Sequence, residues 1–155
     1  MPQLPEDTDA ASWHRYFAME SNNRAWALAV QDRSEAEDTE MLDAAHASAF
    51  HWNMAGDEIH RMRAGMLLAE VHALLGFGQT AFDHAERMRD YFLDRETPDW
   101  ELAFVHTIHA HAAAIVGDAD EHEASYAEAE RAIEAIADLE DRRIVLETFD
   151  QVPSP

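Results

Sequence analysis

Ten histidines in 155 residues are the chain's main chemical resource. Several stand three residues from a second ligating group: Asp43 with His46, Asp57 with His60, His106 with His109, and Glu40 before Asp43. Residues three apart on a helix point the same way, so each pair offers two ligands to one ion. Di-iron bundles draw a carboxylate-x-x-His pair from each of two helices and further carboxylates from two others, roles open to Glu70 and Glu101. The candidate metal set is Asp43, His46, His109, His111 and His122, with Zn, Fe or Mn as the ion. Weighing against it, the pairs use the short Asp. Asp57 directly follows Gly56 and reads as a helix N-cap, which puts His60 in a first turn, far from a bundle centre. The favoured reading has no metal or cofactor and treats most histidines as core groups hydrogen-bonded to neighbours.

Other chemistry is thin. Cysteine is absent, which excludes disulfides, thiolate metal sites and thiol nucleophiles. No Gly-rich phosphate loop, nucleophile elbow or paired-histidine zinc motif occurs. Ser48 and Thr107 have a nearby histidine but no triad, so no catalytic residue is assigned. Arg24, Arg61 and Arg63 sit among apolar and aromatic residues, and one held in a concavity would clamp a ligand carboxylate. Trp13, Trp26, Trp52 and Trp100 fall near helix ends, where they pack hairpin edges or, exposed together, anchor a partner. Candidate partner-binding residues are Arg24, Trp26, His51, Trp52, His72 and His109.

All 11 basic residues are Arg, against 32 acids, for a net charge of −21. No basic stripe exists to meet phosphates or an anionic membrane, so nucleic acid and membrane surfaces are excluded as partners. Basic peptides and proteins are favoured, with a second copy of the chain as a further candidate. Lys depletion with acid excess also fits halophilic adaptation, in which salt screens the self-repulsion. Pro2, Pro5, Glu6 and Asp7 are the opposite of a secretory leader, and no apolar run reaches membrane-spanning length, so a cytoplasmic location is expected.

These groups need helices to position them. Good helix formers dominate, period-two alternation is nearly missing, and Gly56, Gly76, Gly78, Pro98 and Gly117 punctuate the interior. The pattern predicts one all-α domain over 1–155 with seven helices: about 11–31, interrupted at Ser21-Asn22-Asn23; 35–54; 57–75; 79–95; 99–116; 119–137; and 140–149. Residues 1–9 and 150–155 are expected to fray. The third helix carries two apolar stripes, Ile59/Met62/Met66/Ala69/Ala73 and Leu67/Val71/Leu74, so two of its sides are buried. The fifth does likewise, with His109 on one stripe and His111 on the other. The sixth buries only the Tyr126/Ala129/Ile133 face, which also carries His122. Counting from Gly117 sets His111 and His122 at one height across their hairpin; His51 and His60 flank Gly56 similarly.

Two segments look alike. Leu67 to Gly76 leads into a helix with Ala81, Ala85 and Met88, and Ala110 to Gly117 leads into one with Tyr126 and Ala129. This resembles the tetratricopeptide repeat, in which a glycine ends the first helix and small or aromatic residues follow at fixed offsets on the second. Leu68 and His109 stand eight before the two glycines, Ala81 and His122 five after, Ala85 and Tyr126 nine after, Met88 and Ala129 twelve after. The glycines are 41 residues apart (117 − 76), against about 34 in the family. The resemblance covers about half the chain and implies a stack of helical hairpins, right-handed as in that family, that binds protein or peptide. Asn23-Arg24-Ala25-Trp26 and Ala44 to Trp52 are also similar to elements of small helical bacterial proteins, a likeness that carries no activity.

Overall fold

The computed structural model describes residues 9–155, which form seven α-helices and no strand. They are α1 (Ala10–Ala29), α2 (Glu35–Ala55), α3 (Glu58–Leu74), α4 (Gly78–Leu93), α5 (Asp99–Val116), α6 (Ala119–Ala135) and α7 (Leu139–Phe149). Their starts follow local chemistry. Asp9, Asp118 and Asp138 accept from backbone N–H groups of the first turns of α1, α6 and α7. Ser34 and Glu37 satisfy each other's backbone N–H groups at the start of α2. Gly76 and Gly117 end α3 and α5 in the left-handed region, at φ +82° and +88°, a conformation that costs other residues about 1–2 kcal/mol.

Consecutive helices pair as α1·α2, α3·α4 and α5·α6, and each odd-numbered helix also touches the next odd one, from α1 through to α7. The odd helices thus form an inner layer, and α2, α4 and α6 pack outside it. The core comes in three successive parcels. Leu28, Met41, Leu67 and Val71 join α1, α2 and α3. Met66, Ala69, Met88, Phe92 and Ile108 join α3, α4 and α5. Ala103, Ile133, Ile136 and Val145 join α5, α6 and α7. The two stripes of α3 enter separate parcels, which is why that helix is apolar on two sides.

Two local expectations are corrected. α1 runs unbroken through Ser21, Asn22 and Asn23. Ala18, Ala25 and Leu28 seat it in the bundle, and the buried Ser48 hydroxyl of α2 donates to the Ala18 carbonyl at 3.0 Å, so packing overrides the local break signal. The C-terminal residues are tied down rather than frayed: Val152 is buried, and His122 Nε2 donates to the Pro153 carbonyl at 2.7 Å. The fraying expected for 1–8 lies outside the described residues. Among the described residues, no helix is long and apolar enough to cross a membrane.

Candidate functional site: a tryptophan-walled cavity on the inner helix layer

A cavity of about 480 Å³ opens where α1, α3, α5 and α7 meet. This lies within the size range of small-ligand sites, roughly 300–1,000 Å³. Its walls are chiefly apolar: Trp26 from α1, Met66 from α3, Trp100 and Phe104 from α5, and Ile144 from α7. Helical spacing explains the aromatic wall, because Trp100 and Phe104 are four apart on one face. Phe104 meets Trp26 at 5.7 Å between ring centroids and Trp100 edge-on at 6.4 Å. Polar groups at the cavity are few: Asn22, Arg63, Glu101, Glu147 and Thr148.

The main polar feature is an ion pair. Arg63 Nε donates to Glu101 Oε1 at 2.6 Å, and Nη2 donates to Oε2 at 3.0 Å, a bidentate fork across α3 and α5. The Glu101 side chain is 2% exposed and that of Arg63 42%. The hydrogen bonds to Glu101 raise the Arg63 pKa, and burial opposes them. Arg63 is thus the arginine of the three that lines this cavity; Arg61 lines a smaller one beside Met62, Leu68 and His84. Arg61 donates to the Gly56 carbonyl, and Arg24 is exposed and paired with Glu40 at 2.5 Å.

Of the other partner-binding candidates, only Trp26 lines this cavity. His51 shares a hydrogen bond with His14, Nδ1 to Nδ1 at 2.8 Å, beside Phe17 and Phe50. Trp52 stacks on His60 at 4.3 Å, and His60 Nδ1 accepts the Asp57 backbone N–H, so both are occupied at the α2–α3 turn. His51 and His60, expected to face each other, take these separate partners. His72 is buried between His46 and His84, with centroids 5.5 and 5.8 Å away, and its Nδ1 donates to the Leu68 carbonyl. Burial, then the neighbouring Arg87 and histidines, push His84 down to about 4; burial and His72 lower His46.

His109 is fully buried and joins three helices. Its Nε2 meets the Glu86 carboxylate of α4, and its Nδ1 lies 2.6 Å from Ser125 Oγ of α6. A carboxylate only accepts, so the proton sits on Nε2 and Ser125 donates to Nδ1. Burial lowers the His109 pKa, with the nearby Arg89 charge acting the same way and Glu86 opposing both. Serine, histidine and glutamate are the ingredients of a hydrolytic relay, but Ser125 is 2% exposed and the imidazole is sealed, so no carbonyl reaches the hydroxyl. The network is a polar clasp. His111 is a second one: its Nδ1 lies 3.0 Å from each oxygen of Glu70, which is fully buried. Burial presses the His111 pKa down, yet the charge and hydrogen bond of Glu70 more than reverse this, leaving it raised.

The proposed metal set is dispersed. Asp43 and His46 lie on α2, His109 and His111 turn to Glu86 and Glu70, and His122 turns to Pro153. Among the described residues, no three histidine or carboxylate side chains converge with geometry that could hold a metal ion. Glu101 serves Arg63 instead. The cavity residues that sequence reasoning did not assemble are Trp100, Phe104, Glu101 and the α7 wall. The first three form an aromatic-acid-x-x-aromatic run on one face of a helix, which was the available signal. Compared with protein-family models, curated proteins and solved structures, the chain matches none.

Proposed function

We propose that this chain is a binding module, a stack of three helical hairpins and a closing helix arranged as in tetratricopeptide repeats. Its inner layer takes hold of a protein segment through a bulky apolar side chain. The observation that carries the reading is the position of the cavity: it lies on the layer of odd helices and draws a wall from each of the four. Two tryptophans and a phenylalanine around a shallow apolar space offer large contact area with little side-chain entropy to lose. The charge of −21 favours a segment with basic residues flanking the anchor.

The test uses the cavity's own reporters. A Trp13→Phe/Trp52→Phe variant leaves Trp26 and Trp100 as its fluorophores, both in the cavity wall. Burying one phenylalanine side chain contributes about 1.5–3 kcal/mol, so a blocked pentapeptide of phenylalanine between paired arginines should bind more tightly, by about tenfold or more, than the same peptide with alanine at its centre. The reading predicts a saturable emission change with that peptide and a correspondingly weaker response to its alanine-centred analogue. Equal responses to both peptides would contradict it.

A further inference from the structure

Resting on that reading, we propose that Arg63 is the specificity residue of the cavity. It takes a backbone carbonyl oxygen of the bound segment, whose apolar side chain sits against Trp26, Trp100 and Phe104. The argument starts from unused hydrogen-bonding capacity. Nε and Nη2 of Arg63 are both committed to Glu101, whereas Nη1 has no hydrogen-bond partner among the described residues. The fork fixes the guanidinium plane, because Glu101 is buried and engages Arg63 through both oxygens. Arg63 is itself part-exposed and forms part of the cavity wall, so it offers a charged donor whose orientation is set before a ligand arrives.

Charge decides which acceptor fits. Glu101 already balances the Arg63 charge, and Glu147 stands on the same cavity. A carboxylate ligand would bring a further negative charge to a protein of net −21, at a cavity whose lining cation, Arg63, is already matched by Glu101. A neutral amide carbonyl takes the same donor without that cost. Asn22 complements the assignment: its Nδ2 donates to Asn23 Oδ1 at 3.3 Å, which leaves Oδ1 as an acceptor for a peptide N–H. The expected clamp on a ligand carboxylate is thereby replaced by a clamp on a peptide unit.

Three probes sharing one phenyl group test this by calorimetric or NMR titration: N-acetylphenylalaninamide, anionic N-acetylphenylalanine, and ethylbenzene, which is neutral and has no acceptor. The wild-type protein should bind the amide about tenfold more tightly than either of the others. Arg63→Met/Glu101→Gln removes both charges and leaves no buried carboxylate stranded; it should bind the two neutral probes alike, at the weaker level. Arg63→Lys is the backup should the double variant fold poorly: its single ammonium is spent on Glu101, so the amide preference should also fall. Undiminished amide preference in a folded variant, or tighter binding of the anion than of the amide, overturns the role of Arg63 and leaves the phenyl-binding cavity standing. Binding of none of the probes to the wild type overturns the cavity reading with it.

Discussion

Replacing Glu70 with Gln should destabilise the protein strongly in mild acid and little in mild base. The Glu70 and His111 side chains are 0% and 4% exposed, so solvent screens their attraction weakly. His111 titrates above its usual 6.5 in the folded protein. A raised folded pKa contributes stability that is fully present below 6.5 and is lost as pH rises through the folded value. At about pH 6 the pair is an imidazolium on a carboxylate, and losing that charge-assisted bond costs about 1.5–3 kcal/mol. At about pH 9 the imidazole is neutral and Gln still accepts from Nδ1, so the cost should shrink to about 1 kcal/mol or less. Urea unfolding of both proteins, followed by tryptophan fluorescence, measures the difference at each pH. A cost equal at both pH values, or larger in base, would refute the assignment of a charged buried pair.

His84 predicts the opposite slope. Its folded pKa of about 4 lies below the ordinary 6.5, so its contribution is intact above 6.5 and is lost as pH falls toward 4. Allowing for the exposed part of the ring, His84→Gln should recover about 1–2 kcal/mol of the stability lost between about pH 7 and pH 5, read from urea midpoints. Two glycines should respond with opposite sign in thermal melts. A Cβ at Gly78 would stand 2.7 Å from the Ile115 carbonyl oxygen, so Gly78→Ala should cost about 1–3 kcal/mol. A Cβ at Gly65 meets nothing within 4 Å, so Gly65→Ala should gain about 0.5–1 kcal/mol of helix stability. Raising KCl from about 0.1 M to about 2 M should raise the melting temperature, because salt screens the excess of carboxylates; a lower melting temperature would count against adaptation to brine.

The helices were legible because their punctuation is chemical. Pro98, Gly76, Gly117 and the aspartate caps mark ends that the backbone itself requires, and the twin stripes of α3 marked it as shared between two core parcels. The burial of His109, His111 and His122 was legible from their stripes, but their partners were not. Glu70 stands 41 residues from His111, and Glu86 stands 23 from His109. Such pairings depend on which helices become neighbours, and periodicity within one helix carries no such information. The same limit hid the cavity, whose Arg63 and Glu101 are 38 residues apart. The metal set failed to assemble for a related reason: His109 and His111, two apart on α5, point to different neighbours, so spacing alone overstated what they share.

The most direct test is a map of backbone amide shifts in isotope-labelled protein titrated with the arginine-flanked phenylalanine peptide. If the inner layer is the binding face, the perturbed amides will cluster at Trp26, Arg63, Phe104 and Thr148, one group on each odd helix. Shifts concentrated on α2, α4 and α6, or around the exposed Phe17 and Phe50, would contradict the account, as would a spectrum the peptide leaves unchanged.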